Sequence, residues 1–217
     1  MRIFIAAFII TFFSLSCSPG NEKPIKDSLS SRGLERLQIY YKLDSTDSKG
    51  TVFYHTIPEV ELTAQNGKPF LTSSYNGKVA LTDFFFASCA GICPRMTSQL
   101  SRVQKEFAAN PDFKIVSYTV DPDRDTAEFL QQYADLFKAD TSQWKFVTGP
   151  KKKLYDLARY GYFLPVEPGT GDSEDFIHSD QFVLTDHKMR IRGYYNGTDS
   201  AAVDSLIADI KVLLNEK

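Results

Sequence analysis

The spacing of apolar positions changes period along the chain, and from residue 51 onward it predicts an alternation of strands and helices. Val60–Thr63 and Phe70–Thr72 flank Asn66-Gly67, a pair that supplies the positive φ angles of a hairpin turn, and so predict a β-hairpin. Lys78–Phe86 is β-rich and too apolar for an exposed edge, which predicts a central strand. Met96, Leu100, Val103 and Phe107 then recur at helical spacing, giving a helix with one buried face and Pro94 in its first turn, where the missing amide hydrogen costs nothing. Lys114–Val120 predicts the next strand. Asp125 with Glu128 has the form of a capping box for a helix that carries Phe129, Leu130, Tyr133, Leu136 and Phe137. Trp144–Val147 predicts a short strand, followed by a helix through Leu154, Leu157 and Ala158 that stops at Gly161. Gln181–Leu184 and Arg190–Tyr195 predict a hairpin around Asp186-His187-Lys188. A last amphipathic helix uses Val203, Leu206, Ile207, Ile210, Leu213 and Leu214. After the first hairpin the order is β–α–β–α–β–α–β–β–α, which describes an α/β sandwich with a central mixed sheet.

The first 50 residues follow neither period. Residues 1–17 carry one cation, Arg2, then an apolar run from Ile3 through Phe13, and end Ser-Leu-Ser-Cys. A bilayer core needs roughly 20 apolar residues, so this run fits an export signal better than a membrane helix. Its ending resembles a bacterial lipoprotein signal, which would make Cys17 the lipidated first residue of an exported, membrane-anchored protein. Residues 18–50 are rich in Ser, Pro, Gly, Asn and Asp, with one apolar patch from Leu37 to Leu43. That composition buries too little surface to offset chain entropy and predicts a tether, with the folded domain spanning 51–217.

Charge narrows the partners. The chain has 25 Lys and Arg against 27 Asp and Glu, a net charge of −2, and so lacks the basic face that a nucleic-acid binder needs. Three cysteines in 217 residues are too few for a disulfide-built scaffold. Cys17 belongs to the signal, which leaves Cys89 and Cys93 directly after the predicted central strand.

Thiols four residues apart at a helix entrance face one another closely enough for a disulfide or for shared metal ligation. The helix N-terminus carries partial positive charge and favours thiolate over thiol, which raises nucleophilicity and metal affinity. A structural staple is the weaker reading, because so short a loop removes little entropy from the unfolded chain. Redox and metal chemistry both stay open on these residues alone.

A strand followed by Cys89-Ala90-Gly91-Ile92-Cys93-Pro94 at a helix start resembles the Sco/SenC family of thioredoxin-like proteins. Two further segments carry the same resemblance. Val120-Asp121-Pro122-Asp123-Arg124-Asp125-Thr126 matches the family's Val-Asp-Pro-x-Arg-Asp-Thr, and Asp175-Phe176-Ile177-His178-Ser179, with the hairpin after it, is similar to the family's histidine segment. The likeness runs from about Thr56 to the C-terminus. It implies a thioredoxin-like sandwich and a copper chaperone for the dinuclear copper centre of a respiratory oxidase, with Cys89, Cys93 and His178 as ligands. The chain departs from the family at Ala90-Gly91, where members often carry an acidic residue.

Ligand chemistry agrees with copper: two thiolates and an imidazole suit Cu(I) and can also hold Cu(II) with one weak ligand added. Structural zinc wants a fourth protein ligand, and none lies nearby in sequence. His55 and His187 lack any such context and read as structural or exposed. Asp121, Asp123 and Asp125 resemble the start of a calcium loop, but Thr126 and Gln132 stand where that loop needs Gly and Glu; these aspartates are expected to shape the loop beside the cysteines. Two functions of different class follow. One is a transfer protein that receives copper from a donor and passes it to an oxidase copper subunit. The other is an extracytoplasmic thiol–disulfide reductase in which one cysteine attacks a partner's disulfide and the other resolves it. A peroxiredoxin-like activity is a weaker third, since Phe86 stands where that family resembles Thr-x-x-Cys.

Overall fold

The computed structural model describes residues 37–46, 48–108, 110–165 and 179–216. Two short strands, β1 (Lys42–Thr46) and β2 (Val52–Tyr54), pair antiparallel as a separate ribbon. The main sheet has seven strands: β3 (Glu61–Ala64), β4 (Pro69–Leu71), β5 (Val79–Phe85), β6 (Phe113–Thr119), β7 (Trp144–Thr148), β8 (Gln181–Thr185) and β9 (Ile191–Asn196). Their spatial order is β4-β3-β7-β6-β5-β8-β9. The contacts β5–β6 and β6–β7 are parallel and all others antiparallel, so the sheet is mixed. The expected first hairpin is β3–β4, turned at Gly67 with φ of 72°, and it extends the sheet at one edge through β7.

Four helices flank the sheet: α1 (Cys93–Glu106), α2 (Ala127–Leu136), α3 (Lys151–Asp156) and α4 (Ser200–Asn215). Every residue of β5 is buried, Thr82 and Asp83 included, as expected of a central strand covered on both faces. Its alternate residues feed two cores. Phe85 packs on Tyr133 of α2 and Phe146 of β7, with ring centroids 5.2 and 5.8 Å apart. Phe84 stacks on Tyr118 and meets Tyr162, at 5.2 and 5.6 Å, on the side where α3 ends. Helix α1 buries Met96, Leu100 and Val103 and is tied to α4 by the pairs Arg102–Asp204 and Glu106–Lys211. Among the described residues no helix is long and apolar enough to cross a membrane.

Three expectations change. Part of the expected tether is packed on the domain: Leu37 is buried, and the buried guanidinium of Arg192 donates to the carbonyls of Leu37 and Gln38. A charged donor placed 155 residues away rescues a stretch whose own composition reads as tether. Second, α2 is capped by Thr126, whose hydroxyl accepts the Phe129 N–H at 3.2 Å, and not by Asp125. Asp125 is fully buried and engaged elsewhere. Third, α2 buries only Leu130, Tyr133 and Ala134, while Leu136 is 74% exposed and Phe129 39%. The helix after β7 does stop at Gly161, but through a wider π turn over Leu157–Gly161.

Candidate metal centre

Strand β5 delivers the chain to the site. Its last carbonyl, on Phe85, accepts the Val120 N–H at 2.8 Å, and the next carbonyl, on Phe86, accepts the Cys89 N–H at 3.2 Å. Phe86 also donates its own N–H to the Cys93 sulfur. One residue thus touches both cysteines, and the two thiols themselves lie within hydrogen-bonding reach. Only Cys93 belongs to the helix; Cys89 sits in the loop before it, with the Gly91 N–H 3.4 Å from its sulfur. Both are free thiols. They differ in access: Cys89 is half-buried, whereas Cys93 is 1% exposed.

That burial reverses one expectation. The helix entrance was expected to favour thiolate, but desolvation pushes the Cys93 thiol up, the Phe86 N–H only partly offsets it, and neighbouring Cys89 and Asp83 push further. Cys93 is therefore a protonated thiol at neutral pH. Its surroundings are polar for a core. The Thr97 hydroxyl donates to the Cys93 carbonyl at 2.9 Å, which leaves Tyr133 to donate to Thr97 at 2.8 Å. Beneath lies Asp83 on β5, fully buried, accepting from Ser117, which in turn accepts the Trp144 indole N–H at 2.9 Å. Burial pushes the Asp83 carboxyl up to about 7 against the opposing pull of Ser117. Asp83 had one signal in the sequence, a lone charge inside a seven-residue buried strand. Tyr133 read only as core.

The segment after β6 closes over the cysteine turn. Asp125 Oδ2 accepts the Ala87 N–H at 3.0 Å and the Thr119 hydroxyl, so this aspartate shapes the loop. His178 and Cys17 both lie outside the described residues. Of the other histidines, His55 Nε2 is 2.8 Å from the Gly161 carbonyl with its ring against Phe163, and His187 sits half-buried in the β8–β9 turn. Among the described residues no three His, Cys, Asp or Glu side chains group to hold a metal. The described part of the site supplies two sulfurs.

A protein-family comparison matches residues 49–215 to SCO1/SenC. The crystal structure of a SCO1/SenC family lipoprotein from Bacillus anthracis is 30% identical, with 74% of this chain and 96% of that one covered and a TM-score of 0.68. BsSco, whose structure identified a disulfide switch in a member of the Sco family of cytochrome c oxidase assembly proteins, is 28% identical over 75% of this chain and 95% of its own, with a TM-score of 0.66. Copper-bound ScoI from Bradyrhizobium japonicum shares the fold at 22% identity, covering 73% and 99% of the two chains with a TM-score of 0.62. The match spans both cysteines, the Asp125 segment, the histidine segment and the whole mixed sheet, and this chain belongs to the SCO1/SenC family.

Proposed function

We propose that this protein is a copper chaperone that carries the ion on Cys89, Cys93 and His178 and delivers it to the dinuclear copper site of a respiratory oxidase. The observation that carries the reading is the thiol pair itself, one sulfur reachable from outside and one buried against it. Copper is cargo in this scheme. The reachable Cys89 meets the ion first, and transfer onto buried Cys93 expels the proton that burial holds there. Two sulfurs and one imidazole leave the ion under-coordinated, which suits soft Cu(I) and keeps a position through which an acceptor's ligands can take it. The oxidase as acceptor rests on family kinship, since BsSco is described among oxidase assembly proteins. We place the domain outside the cytoplasm on a lipid carried by Cys17, in line with the lipoprotein relative from Bacillus anthracis.

A second reading uses the same pair. The Cys89 thiolate attacks a partner's disulfide and forms a mixed disulfide; Cys93 loses its proton, displaces the partner's second sulfur and leaves the partner with two thiols and this chain with a disulfide. The disulfide switch of BsSco favours it. Anaerobic titration of the reduced protein with Cu(I) and Cu(II) tests the chaperone. One copper per chain is expected, with His178→Ala weakening binding at least tenfold while both thiols still react. Unchanged affinity in that variant would sink the ligand assignment, and reduction of a copper-site disulfide by the metal-free protein at useful rates would sink a chaperone-only account.

A further inference from the structure

The turn that presents Cys89 has few supports of its own. Between the end of β5 at Phe85 and the start of α1 at Cys93 the chain runs through turns and bends. Within it the Phe86 carbonyl accepts the Cys89 N–H at 3.2 Å, and the Gly91 N–H lies 3.4 Å from the Cys89 sulfur. Among the described residues, a side chain from outside the turn holds its middle at the Ala87 N–H. Asp125 Oδ2 accepts the Ala87 N–H at 3.0 Å, and the same oxygen accepts the Thr119 hydroxyl at the end of β6. Thr119 is itself pinned, because its oxygen accepts the Asp121 N–H at 2.9 Å, and the Asp125 N–H returns to the Asp121 carbonyl at 2.9 Å. Thr119 and Asp125 are both fully buried. The second carboxylate oxygen, Oδ1, has no hydrogen-bond partner among the described residues, an arrangement costly for a group whose only task is to cap or solubilise.

We propose that Asp125 is the positioning residue of the cysteine pair: its grip on the Ala87 N–H, braced by Thr119, fixes the Phe86–Cys89 turn so that Cys89 faces buried Cys93. Pre-organisation of this kind raises the effective concentration of one thiol toward the other. It therefore favours every state in which both sulfurs bond to a common partner, whether to each other or to one metal ion. It touches no substrate and does no chemistry itself. The metal arm of the inference rests on the proposed function; the redox arm does not.

The experiment uses the whole protein in a glutathione redox buffer and, separately, in an anaerobic Cu(I) competition. In the redox arm two thiols give up two protons and two electrons to glutathione disulfide, which leaves as two glutathione molecules. Asp125→Ala is expected to lower the dithiol–disulfide equilibrium constant at least tenfold, a shift of about 30 mV, and to weaken Cu(I) binding by a similar factor. Asp125→Asn keeps an oxygen for the Ala87 N–H and is expected within threefold of wild type. Thr119→Val removes only the brace, keeps the side-chain shape, and is expected to act in the same direction by about threefold; it carries the test if Asp125→Ala does not fold. Unchanged equilibrium constants in folded Asp125→Ala, or in Thr119→Val if that is the variant that folds, overturn the proposal. A shifted redox constant with no copper binding even in wild type upholds the positioning role and overturns the chaperone.

Discussion

The guanidinium of Arg192 and the carboxylate of Glu216 meet in two parallel hydrogen bonds of 2.9 Å, both groups out of contact with solvent or nearly so. Arg192 also reaches Asp186 at 3.0 Å and the carbonyls of Leu37 and Gln38, while Glu216 Oε1 accepts the Leu37 N–H at 3.0 Å. The pair is thus a buckle that joins residues 37–38, β9 and the end of α4.

Glu216→Gln keeps the shape and removes the charge. Because breaking one partner of a buried ion pair strands the other, the cost is expected at about 1–3 kcal/mol, with Asp186 left to compensate in part. Urea denaturation reads the loss, and hydrogen exchange at the Leu37 amide is expected to accelerate well beyond that of amides in β5. An unchanged exchange rate there would show that the N-terminal segment is held by something else.

Asp83 makes stability depend on pH. Its folded pKa of about 7 stands above the unfolded carboxylate value, so the stability from burying the neutral acid is fully present below about pH 4 and is lost as pH rises through 7. Asp83→Asn removes that dependence. The variant is expected to gain on the wild type by a few kcal/mol, roughly 4 at most, between pH 4 and pH 8, measured by denaturant midpoints at both. Parallel stability profiles would contradict the assignment of Asp83 as a buried neutral acid.

Unequal access of the two thiols predicts unequal alkylation. With iodoacetamide at pH 7.5 the half-buried Cys89 is expected to react first, and Cys93, buried and held as a thiol, at least ten times more slowly. Mass spectrometry of Cys89→Ser and Cys93→Ser separates the two rates. Comparable rates would mean that Cys93 is far more open than its surroundings indicate.

Thr126→Ala deletes the α2 cap and is expected to cost about 1 kcal/mol. Glu128→Ala, which the capping-box reading would make nearly as costly, is expected to be almost neutral. Thermal midpoints of the two variants decide between them.

The capping box shows where local reading stops. Asp125 and Glu128 had the right spacing, and Thr126 was an equally good cap type one position on; what separated them was the Ala87 N–H, donated by a residue 38 positions away. No window of sequence contains both ends of that bond. The same limit hid the order at Leu37, which depends on an arginine 155 positions later. Helix α1 was legible because its buried face repeats within a few residues, and strand β5 and the β8–β9 hairpin because their apolar, β-rich runs and turn residues are local signals.

By itself the sequence determined the order of strands and helices, the mixed α/β sandwich and the position of two cysteines at the mouth of a helix. These follow from periodicity and turn chemistry, which act over short distances along the chain. Tertiary structure alone decided that Cys93 is buried and protonated while Cys89 is reachable, that burial raises the Asp83 carboxyl to about 7 beneath them, and that Asp125 grips their turn. Each of those is set by desolvation or by a hydrogen bond between segments far apart in sequence, and neither exists until the sheet has brought the segments together.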